Sequence, residues 1–349
     1  MARARNAVGM KDVAALAGVS LGTVSNVLNS PEVVSPKTRA RVESAIEKLG
    51  FVRNESARQL RAGRSRSVGI VVLDLANPFF ADVIHGAEER VLEFGCVVQV
   101  GNSAQDPDRE RQQLDLFEQQ RVRGVLLTPT DDVIDRLVGL RRRGIPIVII
   151  DRVEGALPAC SVSVDNVEGG RLAAQHLLDS GHRQIAFVGG PGQLQQVRDR
   201  RLGAEIALAS RSDAALLVIS TPMLDVAGGV RGAEEICALS PEERPTGVLA
   251  GNDLVALGLL QGFTTQGVRV PDDIAIVGYD DISFAAAAAV PLSSIRQPRE
   301  ELGRRASDLL FDEIRAQETG TEHTHQHVSF APELIVRRSS AESIQRTSR

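Results

Sequence analysis

"MKDVAALAGVSLGTVSNVL", residues 10–28, holds two short helical patterns separated by one glycine. The apolar residues that recur at helical spacing are Met10, Val13, Leu16, Ala17, Val24, Val27 and Leu28. Gly18 permits the left-handed turn that ends a helix, and Ser20 is a good N-cap for the next one. Ala14 is small enough to let two helices cross closely. The stretch therefore predicts a helix-turn-helix.

The following residues predict a third helix and then a weaker one. Ser35 is an N-cap, Pro36 suits the first helical position, and Gly50 is a stop signal. The apolar stripe between these signals is Val42, Ala45, Ile46 and Leu49. "NESARQLRAG", residues 54–63, could form a short helix, but it has too little apolar surface and too few residues to be stable alone. The polar linker "RSRS" follows at residues 64–67.

The first 66 residues are basic, whereas the rest of the chain is acidic. They hold 12 Lys/Arg and 5 Asp/Glu, a net charge of +7, while the whole chain carries −5, which leaves −12 for residues 67–349. A basic head on an acidic body indicates that only the head meets a polyanion. On the outward positions of the second helix, asparagine can bind adenine through two hydrogen bonds. DNA binding is therefore favoured over a structural three-helix cap with a solvated basic face.

The same stretch contains a pattern typical of serine hydrolases. "GVSLG", residues 18–22, matches Gly-x-Ser-x-Gly, but a nucleophilic serine in that pattern must follow a strand, and here a helix precedes it. "GGPGQLQQ", residues 189–196, is glycine-rich after a predicted strand, yet it lacks the Gly-x-Gly-x-x-Gly spacing of dinucleotide sites. We therefore predict no enzyme, no catalytic residue and no cofactor.

From residue 68 onward, short apolar runs alternate with amphipathic helical stretches. Eight runs in two sets of four, with a break near residues 161–166, predict two α/β lobes with parallel sheets. "HTHQHVSF" and "ELIVRRS" near the end predict late strands. Ligands of such sheets bind beyond the carboxyl ends of the strands. The polar residues that follow the runs are Asp74, Asn77, Asp151, Arg152, Asn252, Asp253, Asp280 and Asp281.

The cysteines and histidines do not form a recognisable metal framework in the sequence. Cys96, Cys160 and Cys237 are odd in number and far apart, which predicts reduced, buried thiols. His323, His325 and His327 alternate and could share one face of a strand as metal ligands. Such a tract is more often a solvated edge, so no metal site is predicted.

The expected cellular location rests on two kinds of targeting segment that the sequence does not show. No apolar run reaches about 18 residues, so no membrane span is predicted. The Arg-rich N-terminus is not followed by the apolar region of a signal peptide, which predicts a cytoplasmic protein.

A series of motifs runs in a specific order along nearly the whole chain. They are the head from "MKDVAALAGVSLGTVSNVLNSPEVVSPKTRARVESAIEKLGFVRNESARQLRAG", and then "NPFF", "IPIVIIDR", "DNVEGGRLAAQHLL", "RRLGA", "GNDLVALG", "VGYDD" and "LSSIRQP". In this order and spacing, the chain resembles the LacI/GalR family of transcriptional regulators. The resemblance implies an α/β protein with an all-α helix-turn-helix head and a two-lobed, periplasmic-binding-protein-like core of parallel sheets. The expected divisions are a head at 8–53, a hinge helix and linker at 54–66, and a core at 67–340. Within the core, lobe 1 would comprise about 67–163 and 297–327, and lobe 2 about 164–293 and 328–340.

The resemblance implies two sets of binding residues. Positions that match the family's DNA contacts are Ser20, Leu21, Gly22, Thr23, Ser25, Asn26, Asn29, Arg58 and Leu60. Leu60 matches the family's minor-groove leucine, an apolar wedge that opens the central base step of the operator. Positions that match the effector site are Phe79, Phe80, Asp151, Arg152, Arg200, Asn252, Asp280 and Gln297.

Two departures from the family pattern bear on the effector. Many members have an aromatic residue near Met223, so stacking on a ligand would rest on Phe79 or Phe80 here. Purine-binding members carry an additional arginine six residues before the one matched by Arg200, and Leu194 occupies that position. The expected effector is therefore a sugar rather than a purine.

The function implied is that of a repressor controlled by a small ligand. The partners expected are double-stranded DNA with a pseudo-palindromic operator, a second copy of the chain in a homodimer, and a small-molecule effector, with no membrane. Two alternatives stay open: a purine- or other metabolite-responsive regulator of the same fold, and a solute-binding or sensing protein. The sequence names neither the effector nor the operator, and it leaves open inducer or corepressor action and dimer or tetramer.

Overall fold

The computed structural model describes residues 8–51, 65–130, 134–152 and 159–341. The chain forms two compact units, Met1–Arg64 and Ser65–Arg349, which we call the head and the core. Within the described ranges, no helix has both the length and the apolar character that a membrane span needs.

Within residues 8–51, the head has three helices, α1 (Met10–Ala17), α2 (Leu21–Asn29) and α3 (Pro36–Leu49), with a short 3-10 turn at Pro31–Val33. Its small core holds Val13, Ala14, Ala17, Val24, Val27, Val42 and Ala45. The helical pattern places Leu16 on the apolar face of α1, but this residue is 52% exposed. It lies about 100° around the helix from Ala17, and Ala14 takes its place inside.

The core contains twelve strands within the described residues. They are β1 (Ser67–Val72), β2 (Val97–Asn102), β3 (Val125–Leu127), β4 (Ile147–Ile150), β5 (Cys160–Val164), β6 (Gln184–Gly189), β7 (Ala215–Ser220), β8 (Gly247–Ala250), β9 (Ala275–Asp280), β10 (Ser293–Arg296), β11 (His327–Phe330) and β12 (Glu333–Ile335). One sheet has the order β11-β5-β4-β3-β1-β2, and the other has the order β12-β10-β9-β8-β6-β7. All neighbours pair in parallel except β10 and β12, which are antiparallel. The two sheets define lobe 1 and lobe 2 respectively.

Helices cover both sheets. They are α4 (Pro78–Glu93), α5 (Pro107–Gln119), α6 (Ile134–Arg142), α7 (Asn166–Asp179), α8 (Gln195–Ala209), α9 (Val226–Ala238), α10 (Asp253–Thr265), α11 (Ser283–Ala287) and α12 (Arg299–Thr319). Because β1, β3 and β4 are buried along their whole length, their sequences are almost continuously apolar.

The chain passes between the lobes three times, after β5, after β10 and after β11. The break expected at residues 161–166 is in part a strand, because Cys160–Val164 forms β5 inside the sheet of lobe 1. The last crossing lies between Phe330 and Glu333, a few residues beyond the expected boundary at 327/328, because all of β11 pairs with β5.

Glycines let neighbouring helices approach until their backbones touch. A Cβ on Gly170 of α7 would overlap the carbonyl oxygen of Arg200 in α8, and one on Gly203 of α8 would overlap that of Val167 in α7. Gly86 and Gly303 act in the same way where α4 crosses α12. The α7–α8 contact matters most for function, since it fixes the position of Arg200 between the lobes.

Candidate functional site

The first candidate site is the outer face of α2 in the head. Ser20 caps this helix, since its Oγ accepts a hydrogen bond from the backbone N–H of Thr23 at 3.1 Å. Gly18 adopts the left-handed conformation, φ 61°, that turns the chain between α1 and α2. Arg41 of α3 fixes that turn, because its Nη2 donates to the carbonyl oxygens of Ala17 at 2.5 Å and Gly18 at 3.2 Å. The cap and the turn together set the direction of α2.

The predicted DNA contacts of α2 differ in how free their side chains are. Ser20, Leu21, Gly22, Asn26 and Asn29 are exposed, and Thr23 and Ser25 are half-buried. The Asn29 amide donates to the backbone oxygen of Ser25 at 2.9 Å and to its Oγ at 3.2 Å, which ties it to its own helix. Within residues 8–51, the Asn26 side chain makes no hydrogen bond and is available to a base edge. Arg58 and Leu60 lie outside the described residues.

The second candidate site is the cleft between the two lobes of the core. Its empty volume, including the space that is open to solvent, is about 360 Å³. The described residues that line it are Leu73, Asp74, Asn77, Phe79, Phe80, Gln105, Asp151, Gln196, Arg200, Leu224, Asn252 and Asp280. The cleft lies beyond the carboxyl ends of the strands, where ligands of parallel sheets bind.

Arg200 is the sole cation among the described lining residues. It is 4% exposed, and its guanidinium lies over the ring of Tyr279 at 3.7 Å from the centroid. Its Nε donates to Asn166 Oδ1 at 2.9 Å, and its Nη1 donates to the Gly251 carbonyl at 2.7 Å and lies 3.9 Å from Asp280 Oδ1. These partners hold a desolvated positive charge in one orientation at the centre of the cleft.

Asp151 stands at the end of β4 with a left-handed backbone, φ 61°. It is buried, and its Oδ1 has no hydrogen-bond partner among the described residues. Burial raises the pKa of Asp151 to about 6, although the Arg200 charge opposes that rise. A buried carboxylate oxygen without a partner is costly, so this atom is the natural acceptor for a ligand hydroxyl.

Asp280, at the end of β9, joins the two lobes. Its Oδ2 accepts from Asn77 Nδ2 of lobe 1 at 3.1 Å, and its Oδ1 accepts from Gln297 Nε2 at 2.8 Å. Burial raises the pKa of Asp280, and the Arg200 charge opposes the rise. A second bond between the lobes runs from the backbone N–H of Leu224 to Gln105 Oε1 at 3.3 Å. Arg299 of α12 adds a bond from its Nη1 to the Asp280 carbonyl at 2.7 Å, so several hydrogen bonds hold the lobes together at the cleft.

The remaining predicted effector residues fall into two groups. Phe79 and Phe80 line the cleft with their rings edge to face at 4.9 Å between centroids, and Asn252 lines it while capping α10 through Val255 N–H at 2.9 Å. Arg152 and Gln297 are not among the described lining residues. Gln297 acts instead through its hydrogen bond to Asp280.

The sequence interpretation missed several cleft residues. The sequence does not single out Gln105, Gln196, Leu73 and Leu224, whereas Asp74 and Asn77 are among the strand-end residues expected near a ligand, although the effector set omits them. One local signal was available for Asn77: it is an N-cap before Pro78, with Oδ1 accepting from Phe79 N–H at 3.0 Å. Nothing local marks Gln105 or Leu224, because they come together only when the lobes meet.

The two departures from the family pattern have clear structural consequences. Leu194 is 1% exposed and belongs to the apolar core of lobe 2, so no second cation stands there. Met223 is half-buried, and the adjacent Leu224 lines the cleft instead.

Comparison with known proteins agrees with this architecture. The family model for bacterial regulatory proteins of the lacI family matches residues 9–54, and the periplasmic binding protein-like domain matches residues 174–340. The HTH-type transcriptional repressor PurR of Photobacterium profundum is 33% identical over 95% of this chain and 98% of its own length. Among solved structures, the transcriptional regulator CelR–cellobiose complex is 33% identical, with a TM-score of 0.69 over 95% of this chain and 99% of that one. The lac repressor dimer bound to operator and the anti-inducer ONPF is 28% identical, with a TM-score of 0.79 over 96% and 99%.

Proposed function

This chain is a member of the lacI family of bacterial regulatory proteins, and from that premise we propose that it is a repressor controlled by a small neutral sugar bound between its lobes. Members of this family are DNA-binding transcriptional regulators, and the helix-turn-helix head is the DNA-binding part. The observation that carries the proposal is the charge of the cleft. Asp74, Asp151 and Asp280 face a single guanidinium, that of Arg200.

A neutral polyhydroxyl ligand fits this charge pattern better than an anion. Three carboxylates against one cation repel phosphate groups, whereas each carboxylate oxygen can accept from a hydroxyl and Arg200 can donate to one. Asp151 Oδ1 has no partner among the described residues, so a ligand hydroxyl can supply a hydrogen bond to it. A site built on such pairs rejects analogues that leave its buried polar groups unpaired. The bound ligand of the related CelR structure is a sugar, cellobiose, which supports the same class.

A purine-responsive regulator of the same fold is the weaker alternative. The purine-binding pattern needs a second arginine where this chain has the buried Leu194. A solute-binding role is disfavoured because the head matches the family's DNA-binding domain.

On the DNA side, the proposal is a cytoplasmic homodimer on a pseudo-palindromic operator. The related lac repressor is a dimer on its operator, and a two-fold protein reads a two-fold site. We assign base and phosphate contacts to the outward residues of α2, with Asn26 as the main hydrogen-bonding reader. Arg58 and Leu60 complete the set in the segment at 54–66, with Leu60 as the minor-groove wedge.

A thermal-shift screen tests the effector class. Neutral monosaccharides and disaccharides, their phosphates, and purines are added in turn, because a ligand that binds only the native state raises the melting temperature. We expect a rise with a neutral sugar that disappears in Arg200→Ala and persists in Arg201→Ala. Arg201 is a matched control, since it is a neighbouring arginine that pairs with Glu205 at 3.1 Å. A rise with sugar phosphates or purines and none with neutral sugars contradicts the proposal.

The DNA response is measured separately. A duplex selected in vitro from a random library serves as operator, and its affinity is followed by fluorescence anisotropy over a range of salt concentrations. The sugar should change the affinity of the native chain and of Arg201→Ala, whereas Arg200→Ala should bind the duplex without responding. Loss of all DNA binding in Arg200→Ala would mean that this residue does not act through the effector.

A further inference from the structure

The structure brings four metal-ligating side chains together at the end of lobe 1 that lies away from the cleft. Cys160 begins β5, Glu313 lies on α12, and His323 and His325 precede β11. We call these four residues the Cys–His cluster. It lies at the amino ends of β5 and β11, whereas the effector cleft lies at the carboxyl ends of the strands. Nothing in the regulatory function described above uses these side chains.

The distances within the Cys–His cluster match a tetrahedral ion. Cys160 Sγ lies 3.2 Å from His323 Nε2 and 3.8 Å from His325 Nδ1, and one ligand atom from each of the four residues lies within 4.8 Å of all the others. Zinc bonds of about 2.3 Å to sulfur and 2.0–2.1 Å to nitrogen place S and N about 3.6 Å apart in a tetrahedral site. We propose that the Cys–His cluster binds one Zn²⁺ ion.

The surroundings of the Cys–His cluster suit a cation. Glu313 is 2% exposed, and its Oε2 has no hydrogen-bond partner among the described residues. Cys160 Sγ accepts the backbone N–H of Gln326 at 3.4 Å, a bond that favours a thiolate ligand. His327 is different, since its Nδ1 is hydrogen-bonded to Ser161 Oγ at 2.8 Å outside the cluster. Two histidines of the tract are therefore placed as ligands, and the third is not.

Arg141 occupies part of the same space. Its Nη2 lies 3.0 Å from Glu313 Oε1 and 3.0 Å from His325 Nε2. An ion on His325 Nδ1 leaves the ring proton on Nε2, so Arg141 must then release His325, because two donors cannot bond to each other. Arg141 thus competes with the ion for Glu313 and His325.

Four protein ligands make a closed site, which is typical of structural zinc. The ion would fasten the segment between α12 and β11 to the start of β5 and to α12 itself. Because it binds only where these elements are assembled, it would raise the stability of the core by mass action.

Metal titration of the full reduced chain, freed of metal by a chelator, tests the site. We expect one Co²⁺ per chain, with a thiolate-to-cobalt charge-transfer band that Zn²⁺ removes by displacement. Cys160→Ser should abolish the band, and His323→Ala should weaken binding by more than the about 10–100-fold that outer-shell changes cost. Cys237→Ser and His327→Ala are the matched controls and should keep both band and affinity. Circular dichroism establishes that each variant is folded.

Two results would overturn the proposal. One is binding without a charge-transfer band, or with equal affinity in Cys160→Ser, since an exposed histidine tract alone then holds the metal. The other is unchanged or weaker Zn²⁺ binding by Arg141→Gln, which would show that Glu313 and His325 are not ligands. We expect this variant to bind Zn²⁺ more tightly than the native chain, because Arg141 no longer competes for these residues and Gln can accept from His325 Nε2.

Discussion

Replacing Asp151 by Asn should remove a pH dependence of stability that belongs to the effector cleft. Burial raises the pKa of Asp151 from 3.8 to about 6, so the native state holds this proton more tightly than the unfolded chain does. The free energy of unfolding therefore falls as the pH rises from the unfolded pKa to the folded one. Below pH 4 the contribution is nearly complete, and above pH 6 it is lost.

The size of the effect follows from the pKa difference. About two pKa units correspond to about 3 kcal/mol, of which about 2.5 kcal/mol falls between pH 4 and pH 7. An asparagine side chain cannot titrate. The difference in unfolding free energy between the native chain and Asp151→Asn should therefore change by about 2.5 kcal/mol between pH 4 and pH 7. Any cost of the substitution that does not depend on pH cancels in the comparison.

Urea unfolding at a series of pH values measures this difference. Far-UV circular dichroism is the suitable signal, because the chain has no Trp and one Tyr. Asp213→Asn is the control, because Asp213 is exposed and its hydrogen bond with Arg183 lowers its pKa. In this variant, the fall of the unfolding free energy with rising pH should be the same as in the native chain or steeper. Parallel curves for the native chain and Asp151→Asn would refute a raised pKa at Asp151.

Three further substitutions test the head and the core. Leu60→Ala should weaken binding to the selected operator in a gel shift while leaving urea unfolding of the core unchanged, and full retention of affinity would exclude the wedge role. Asn26→Ala should lose about 1–3 kcal/mol of discrimination among operator variants in competition assays, and an unchanged preference would assign base reading elsewhere. Gly203→Ala should lower the free energy of unfolding by about 1–3 kcal/mol or more, because its Cβ would overlap the Val167 carbonyl, whereas Gly192→Ala, which has open space around it, should not.

The sequence could predict the head well because its signals are local. The caps at Ser20 and Ser35 and the left-handed Gly18 and Gly50 all lie within one turn of the helix ends that they mark. Leu16 was misplaced because, in a helix of two turns, one residue of spacing decides between core and solvent.

The strand β5 could not be predicted as easily. Its sequence, "CSVSV", alternates and has the pattern of a half-exposed edge, yet all five residues are buried. One reason is that β5 is not an edge strand, because β11, from residues 327–330, pairs with it on the side opposite β4, and the helix α12 packs against it. Ser161 is tolerated there because its Oγ bonds to His327 Nδ1 at 2.8 Å. The same long-range pairing brings Cys160 to the histidine tract, so the Cys–His cluster was hidden for the same reason.

The effector cleft shows where sequence information ends. Three strand ends offered two adjacent polar residues each, and in each pair the first residue lines the cleft whereas the second does not. The pairs are Asp151 and Arg152, Asn252 and Asp253, and Asp280 and Asp281. The sequence located all three pairs, but within a pair both residues are polar and can bind a ligand, so composition alone could not choose between them. The family resemblance favoured Asn252 and Asp280 in two pairs and kept both Asp151 and Arg152 in the third.

For Asp253 and Asp281, the structure makes the choice by giving the side chains internal partners. Asp253 is fully buried and accepts from Ile282 N–H at 2.8 Å and from Ser294 Oγ at 2.7 Å, which holds the turn after β9 against β10. Asp281 bonds to Arg296 at 2.8 Å and to Arg337 at 2.6 Å. These carboxylates have their partners within lobe 2, whereas Asp151 keeps an oxygen without one among the described residues. At Asp151, the oxygen available to a ligand is therefore identified by the hydrogen bond that the described part of the protein does not make for it.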